Sequence, residues 1–238
     1  RCIKTVMGSE ALYSVLDAMA YSGYCETIYL NTYEYPYYEC NMETIQQRFN
    51  KSIQERYPLH NYSRTAPILI SIRLVKSEEE IELIRHACGI TADAFRRCMA
   101  TVKPGMYEYQ VQAELEYVFK YNNANGNAFA PIIATGKNAC SLHYSKNQSL
   151  LNDGDLILFD VGCEYMNYAS DLSRTISING KFTSRQRECY EAVLRVMKEI
   201  EKLYVPGNTI NDINAATREL MEQEMIGLGL FTAEDVKH

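Results

Sequence analysis

Hydrophobic and polar positions change period several times along the chain, and each change marks an element. Over residues 9–20 apolar side chains recur at 11, 12, 15, 16 and 19, the spacing of a helix with one buried stripe. Residues 27–30 predict a short strand, 42–56 a second helix ended by Tyr57-Pro58, and 68–74 a further strand. The tyrosine-rich stretch 33–40, with Pro36, predicts a loop. At Lys76 the character shifts, and Ser77-Glu78-Glu79-Glu80 opens a long helix. Ser77 and Glu80 have capping-box spacing, and the acidic cluster suits the positive end of a helix. Its apolar stripe reads 81, 84, 88, 95 and 99, and Pro104-Gly105 stops it. A helix over about 108–122, a turn-rich loop at 122–127 and strands over 129–135 and 141–144 follow. After the turn at Asn179-Gly180, Thr183 and Gln186 frame another capping box. Helices then cover 184–204, up to Pro206-Gly207, and 210–225, ended by Gly227 and Gly229. The Pro-Gly junction Val102-Lys103-Pro104-Gly105 is echoed 102 positions later by Tyr204-Val205-Pro206-Gly207. This reads either as an internal duplication or as ordinary punctuation between helices.

One stretch breaks its own pattern. Residues 156–178, LILFDVGCEYMNYASDLSRTISI, read as two strands joined by a tight turn. The first strand is almost continuously apolar, as a buried strand is, yet Asp160 sits within it; the second carries Asp171. A turn centred on Tyr165 and Met166 pairs 164 with 167, 162 with 169 and 160 with 171. The two carboxylates then face each other with Cβ atoms roughly 5 Å apart. Such a pair repels and is costly to bury unpaired, and a cation between them removes both problems. The spacing suits a two-metal site, whose ions lie about 3.5–4 Å apart. The plain alternative is an exposed hairpin with two unrelated aspartates; the flanking Leu156, Ile157, Leu158 and Phe159 argue for the metal.

Composition narrows the function. With 238 residues, 47% hydrophobic and 23% charged, the chain is that of an ordinary globular protein. A net charge of −6 gives no basic face for nucleic acid, and no apolar run approaches a membrane span. Eight cysteines form no C-x-x-C pair, which favours free thiols and a cytoplasmic, reducing setting, although the even count leaves a disulfide open. The chain starts abruptly at Arg1-Cys2-Ile3 without an initiating Met, and stops at His238 without a terminating feature. A piece of a longer polypeptide is expected.

Several words in order carry a resemblance. They are Leu142-His143-Tyr144-Ser145-Lys146-Asn147, Asp153-Gly154-Asp155-Leu156, Phe159-Asp160-Val161-Gly162-Cys163-Glu164-Tyr165, Tyr168-Ala169-Ser170-Asp171-Leu172-Ser173-Arg174-Thr175 and Asn179-Gly180-Lys181-Phe182-Thr183. Together they resemble the aminopeptidase P and prolidase metallopeptidases, more the former, over roughly 73–238. The resemblance implies an α/β (α+β) architecture. Residues 75–238 are then a partial pita-bread catalytic domain of the creatinase/methionine-aminopeptidase type, and residues 1–74 part of a smaller α/β amino-terminal domain.

It also implies two divalent metal ions, usually manganese, held by two Asp, one His and two Glu. Asp160 and Asp171 match the two Asp. His143 matches a family histidine that is not a ligand and contacts the substrate and the developing tetrahedral centre. The remaining ligands follow a His-Gly-x-x-His segment that this sequence does not contain. Ser173 retains a hydroxyl able to bond a ligand carboxylate. Tyr144 reads as packing and Cys163 as a small buried hydrophobe. The implied activity is release of an amino-terminal residue that precedes proline, by a metal-bridged hydroxide. The implied partners are Xaa-Pro peptides, with no nucleic acid or membrane, and a homodimer or larger assembly. Rivals are a prolidase restricted to Xaa-Pro dipeptides, a metal-free creatinase, which the Asp pair speaks against, and an inactive peptide-binding relative.

Overall fold

A computed structural model describes residues 5–23, 25–32 and 43–237. The loop expected at 33–40, the Arg1-Cys2-Ile3 start, Cys40 and His238 lie outside the described residues. The chain divides into two compact units, Arg1–Ser77 and Glu78–His238.

In the first unit, α1 (Leu12–Ala20), β1 (Thr27–Leu30), α2 (Ile45–Arg56) and β2 (Asn61–Arg64) surround a small core of Ala20, Ile53 and Tyr57. The two strands are parallel, with Thr27 opposite Asn61. A capping box of Thr44 and Gln47 starts α2. Residues 68–74, expected as a strand, belong instead to α3 (Ala66–Leu74). Pro67 lies in the first turn of α3, where its missing N–H is harmless. The exposed Ile68, Ile70 and Ile72 find no sheet to enter, so the short apolar run forms a helix.

The second unit is built on α4 (Glu78–Thr101) and α5 (Glu108–Tyr121), packed on one face of an antiparallel sheet. That sheet has the order β4 (Ile132–Thr135), β5 (Leu156–Val161), β8 (Leu172–Ser177). A second sheet orders β3 (Gly126–Asn127), β6 (Cys163–Tyr165) and β7 (Tyr168–Ala169). The buried stripe of α4 is Ala87, Ile90, Thr91, Ala94 and Cys98, offset from the expected one; Cys88 and Met99 face solvent. Small side chains let the helix lie close to the sheet, which is why the larger residues did not mark the buried face.

Strand β5 alternates where continuous burial was expected. Ile157, Phe159 and Val161 are sealed under the helices, while Leu156, Leu158 and Asp160 lie on a half-open face. On that face an apolar groove of about 370 Å³ runs between the sheet, at Leu156, Leu158 and Thr175, and Tyr190, Val193 and Met197 of α6 (Ser184–Glu201). Thr183 and Gln186 form the expected capping box on α6, and α7 (Ile210–Gly227) packs on it through Ile213 against Val196 and Ile200. Gly105 and Gly207, at the two Pro-Gly junctions, both have positive φ. The helices around them differ in length, 24 and 14 residues against 18 and 18. The local turn therefore repeats; matched helices do not. Among the described residues, no helix is long and apolar enough to cross a membrane.

Candidate active site

The site is built at the open end of the β5–β8 ladder. Tyr165 pairs with Tyr168 around a two-residue turn at Met166 and Asn167, with φ of 51° and 68°. Positive φ at both positions matches the twist of a tight hairpin. The turn lies one residue later than expected, so every partner moves by two. Asp160 faces Ser173, and not Asp171 as expected. Because side chains alternate with period two, this shift keeps all three residues on one side of the sheet.

The Ser173 Oγ donates to Asp160 Oδ1 at 3.1 Å. Asp171 lies two residues before Ser173 in the chain, just outside the regular ladder. Its carboxyl is held above the ordinary carboxylate range. Partial loss of water is the main cause, followed by the charge of Asp160 and a hydrogen bond shared with it. Asp160 is half-buried and Asp171 exposed, so the pair is more open than a buried strand implies.

The position of Asp171 follows from an irregularity beside it. The Cys163 N–H donates to two side chains, Thr91 Oγ1 at 3.1 Å and Ser170 Oγ at 3.0 Å. Those two hydroxyls are 2.7 Å apart and both residues are buried. The Ser170 carbonyl oxygen meanwhile lies against Gly162, where a Cβ would come within 1.8 Å of it. Only glycine leaves room for that approach. Cys163 is buried, with its Sγ 3.3 Å from the Ala87 carbonyl oxygen, and serves as packing.

His143 lies on the connection between β4 and β5. The strand expected at 141–144 is a turn, and His143 sits there exposed, with φ of +54°. The structure brings Asp160 and Asp171 together; no hydrogen bond among the described residues joins His143 to either. Its loop is nonetheless held from beneath. Asn147, buried and with φ of +46°, donates to Pro131 O at 2.9 Å and Gln112 Oε1 at 3.0 Å, and accepts from Ile133 N–H at 3.3 Å. Tyr144, expected only to pack, donates its hydroxyl to the carboxylate of Glu108 at 2.7 Å. Glu108 went unmarked in the sequence, because an acid in the first turn of a helix ordinarily faces water.

Two neighbouring carboxylates that repel one another, one of them oriented by a hydroxyl, fit a hard divalent cation as oxygen donors. Among the described residues no group of three or more His, Cys, Asp and Glu side chains comes together.

The model of metallopeptidase family M24 matches residues 82–238. The Xaa-Pro aminopeptidase of Escherichia coli is 33% identical over 232 residues, covering 95% of this chain and 50% of the relative. Among solved structures, proline aminopeptidase P II from Yersinia pestis superimposes with a TM-score of 0.78 at 34% identity, covering 96% of this chain and 51% of that one. Zn-substituted E. coli aminopeptidase P in complex with product gives 0.77 at 34% identity, covering 89% and 48%. The chain spans about half the length of these relatives.

Proposed function

This chain belongs to metallopeptidase family M24, and from that premise we propose that it forms part of an Xaa-Pro aminopeptidase. The observation that carries the reading is the Asp160–Asp171 pair on the open face of the β5–β8 hairpin. Asp160 and Asp171 would hold two divalent ions, which we take to be manganese, completed by ligands from outside this chain. Ser173 fixes the rotamer of Asp160 through its 3.1 Å hydrogen bond. Bound ions would supply a water of lowered pKa and polarise the scissile carbonyl. The His143 ring donates a hydrogen bond to the carbonyl oxygen as negative charge develops there. The substrate class is peptides with proline second: that amide lacks an N–H and has restricted geometry, so a dedicated site is needed. The six described cysteines are free thiols, in keeping with a reducing, cytoplasmic setting. A homodimer or larger assembly is part of the same proposal.

The test uses the full-length protein with manganese and three peptides, Xaa-Pro-Yaa, Xaa-Ala-Yaa and the dipeptide Xaa-Pro. Metal-dependent release of Xaa from Xaa-Pro-Yaa, with Xaa-Ala-Yaa untouched, is the expected result. Release from the dipeptide alone would identify a prolidase. Absence of both cleavage and bound manganese would identify a peptide-binding relative.

A further inference from the structure

We propose that Glu108 is a positioning residue for His143, acting through the loop that carries it; this rests on the role of His143 given above. Glu108 opens α5 and its side chain is fully buried, at 0% exposure. Four donors converge on it. Thr135 N–H at 2.8 Å and Asn138 Nδ2 at 3.0 Å reach Oε1, while Tyr144 Oη at 2.7 Å and Ser149 N–H at 2.9 Å reach Oε2. All four lie within residues 135–149, from the last residue of β4 into its connection to β5, with His143 in the middle. The carboxyl group therefore holds the last residue of β4, the residue after His143, and Ser149 beyond it.

Two oxygens that accept from four donors suit this task. A carboxylate presents only acceptors and can satisfy four donors, while an amide turns its own donors towards two of them. A carboxyl group buried this completely needs that full set of partners. His143 gives the clasp its purpose. A non-glycine residue with φ of +54° is held by its surroundings and not by its own preference. Glu108 is fully buried beneath the loop, so it acts on the imidazole through the backbone it holds and not by touching substrate.

The experiment compares wild type with Glu108→Gln, His143→Ala and the double variant in the full-length, manganese-loaded protein. Glu108→Gln is expected to lower kcat on Xaa-Pro-Yaa on the order of tenfold to a hundredfold, with KM little changed. The double variant is expected to be no slower than His143→Ala. A readout independent of turnover is taken on the metal-free protein: tryptic cleavage after Lys137 and Lys146, and amide exchange across 136–149. Both should accelerate in Glu108→Gln while exchange in α4 stays as in wild type. Unchanged loop protection, or multiplying losses in the double variant, would overturn the proposal. Full activity in Glu108→Gln beside a slow His143→Ala would overturn it alone; full activity in His143→Ala would overturn the role of His143 first. If Glu108→Gln does not fold, Tyr144→Phe removes one donor and must show the same directions with smaller size.

Discussion

A methyl group on Gly162 would lie 1.8 Å from the carbonyl oxygen of Ser170, the residue directly before Asp171. The backbone beside the candidate metal centre is therefore closed to every side chain. In Gly162→Ala the two strands must part, and overpacking of this kind costs about 1–3 kcal/mol. A lower melting temperature is expected together with weaker manganese binding by titration calorimetry. Unaltered binding would mean that the Gly162–Ser170 contact does not set the place of Asp171.

Thr91 acts on the same irregularity from α4. Its hydroxyl accepts the Cys163 N–H and meets Ser170 in the core. Thr91→Val keeps the shape and removes the acceptor, leaving Ser170 alone to serve the N–H. A loss of about 1–3 kcal/mol in urea unfolding follows from the weakened buried network, and Thr91→Ser should recover most of it. Equal stability of Val and Ser variants would contradict this account.

Removal of the Ser173 hydroxyl leaves Asp160 free to rotate. Ser173→Ala is expected to weaken metal binding roughly 10–100-fold, the usual scale for a group that orients a ligand. Asp160→Ala or Asp171→Ala should abolish metal binding at the site. Full activity in either Asp variant would remove the pair from the metal centre.

The carboxyl pair also has a signature in the metal-free protein. Burial and Asp160 raise the Asp171 carboxyl above its ordinary value, so the native state holds this proton more tightly than the unfolded chain. Its contribution to stability is thus fully present at pH below the ordinary aspartate value and is lost as pH rises through the raised one. Asp171→Asn lacks the penalty. The stability of the Asn variant relative to wild type should grow across that interval and then level off, as followed by thermal melts from pH 3 to pH 7. A difference independent of pH would rule out the coupling.

Much of this arrangement was legible in the residues, and the misses have physical causes. Asp160 stood out because an acid in an apolar strand demands a partner, and Asp171 because the hairpin had to return past it. The partner register differs by two because the turn expected at Tyr165 and Met166 falls at Met166 and Asn167, where Asn167 takes the second positive φ that the hairpin needs. That error was harmless to the face and harmful to the pairing. Residues 68–74 misled because a short apolar run cannot distinguish a helix from a strand without knowing what lies beside it. Glu108 was invisible because its four partners come from a loop whose path only the folded chain reveals. The α4 stripe was displaced because alanine and cysteine, not the larger residues, make the close contact.

The alternation of β5 places stability and chemistry on adjacent residues of a single strand. Phe159 and Val161 fill the core, and Asp160 between them points the other way. The hairpin therefore has a parity. An insertion or deletion of two residues at Met166-Asn167 would change which residues meet and still leave the acids on the open side. A slip of one would turn the sheet's faces inside out for the returning strand, carrying Asp171 into the core and apolar Leu172 to the open face. A length change that shifts the register is consequently tolerated only in even steps, and an odd one must be taken up in the turn itself.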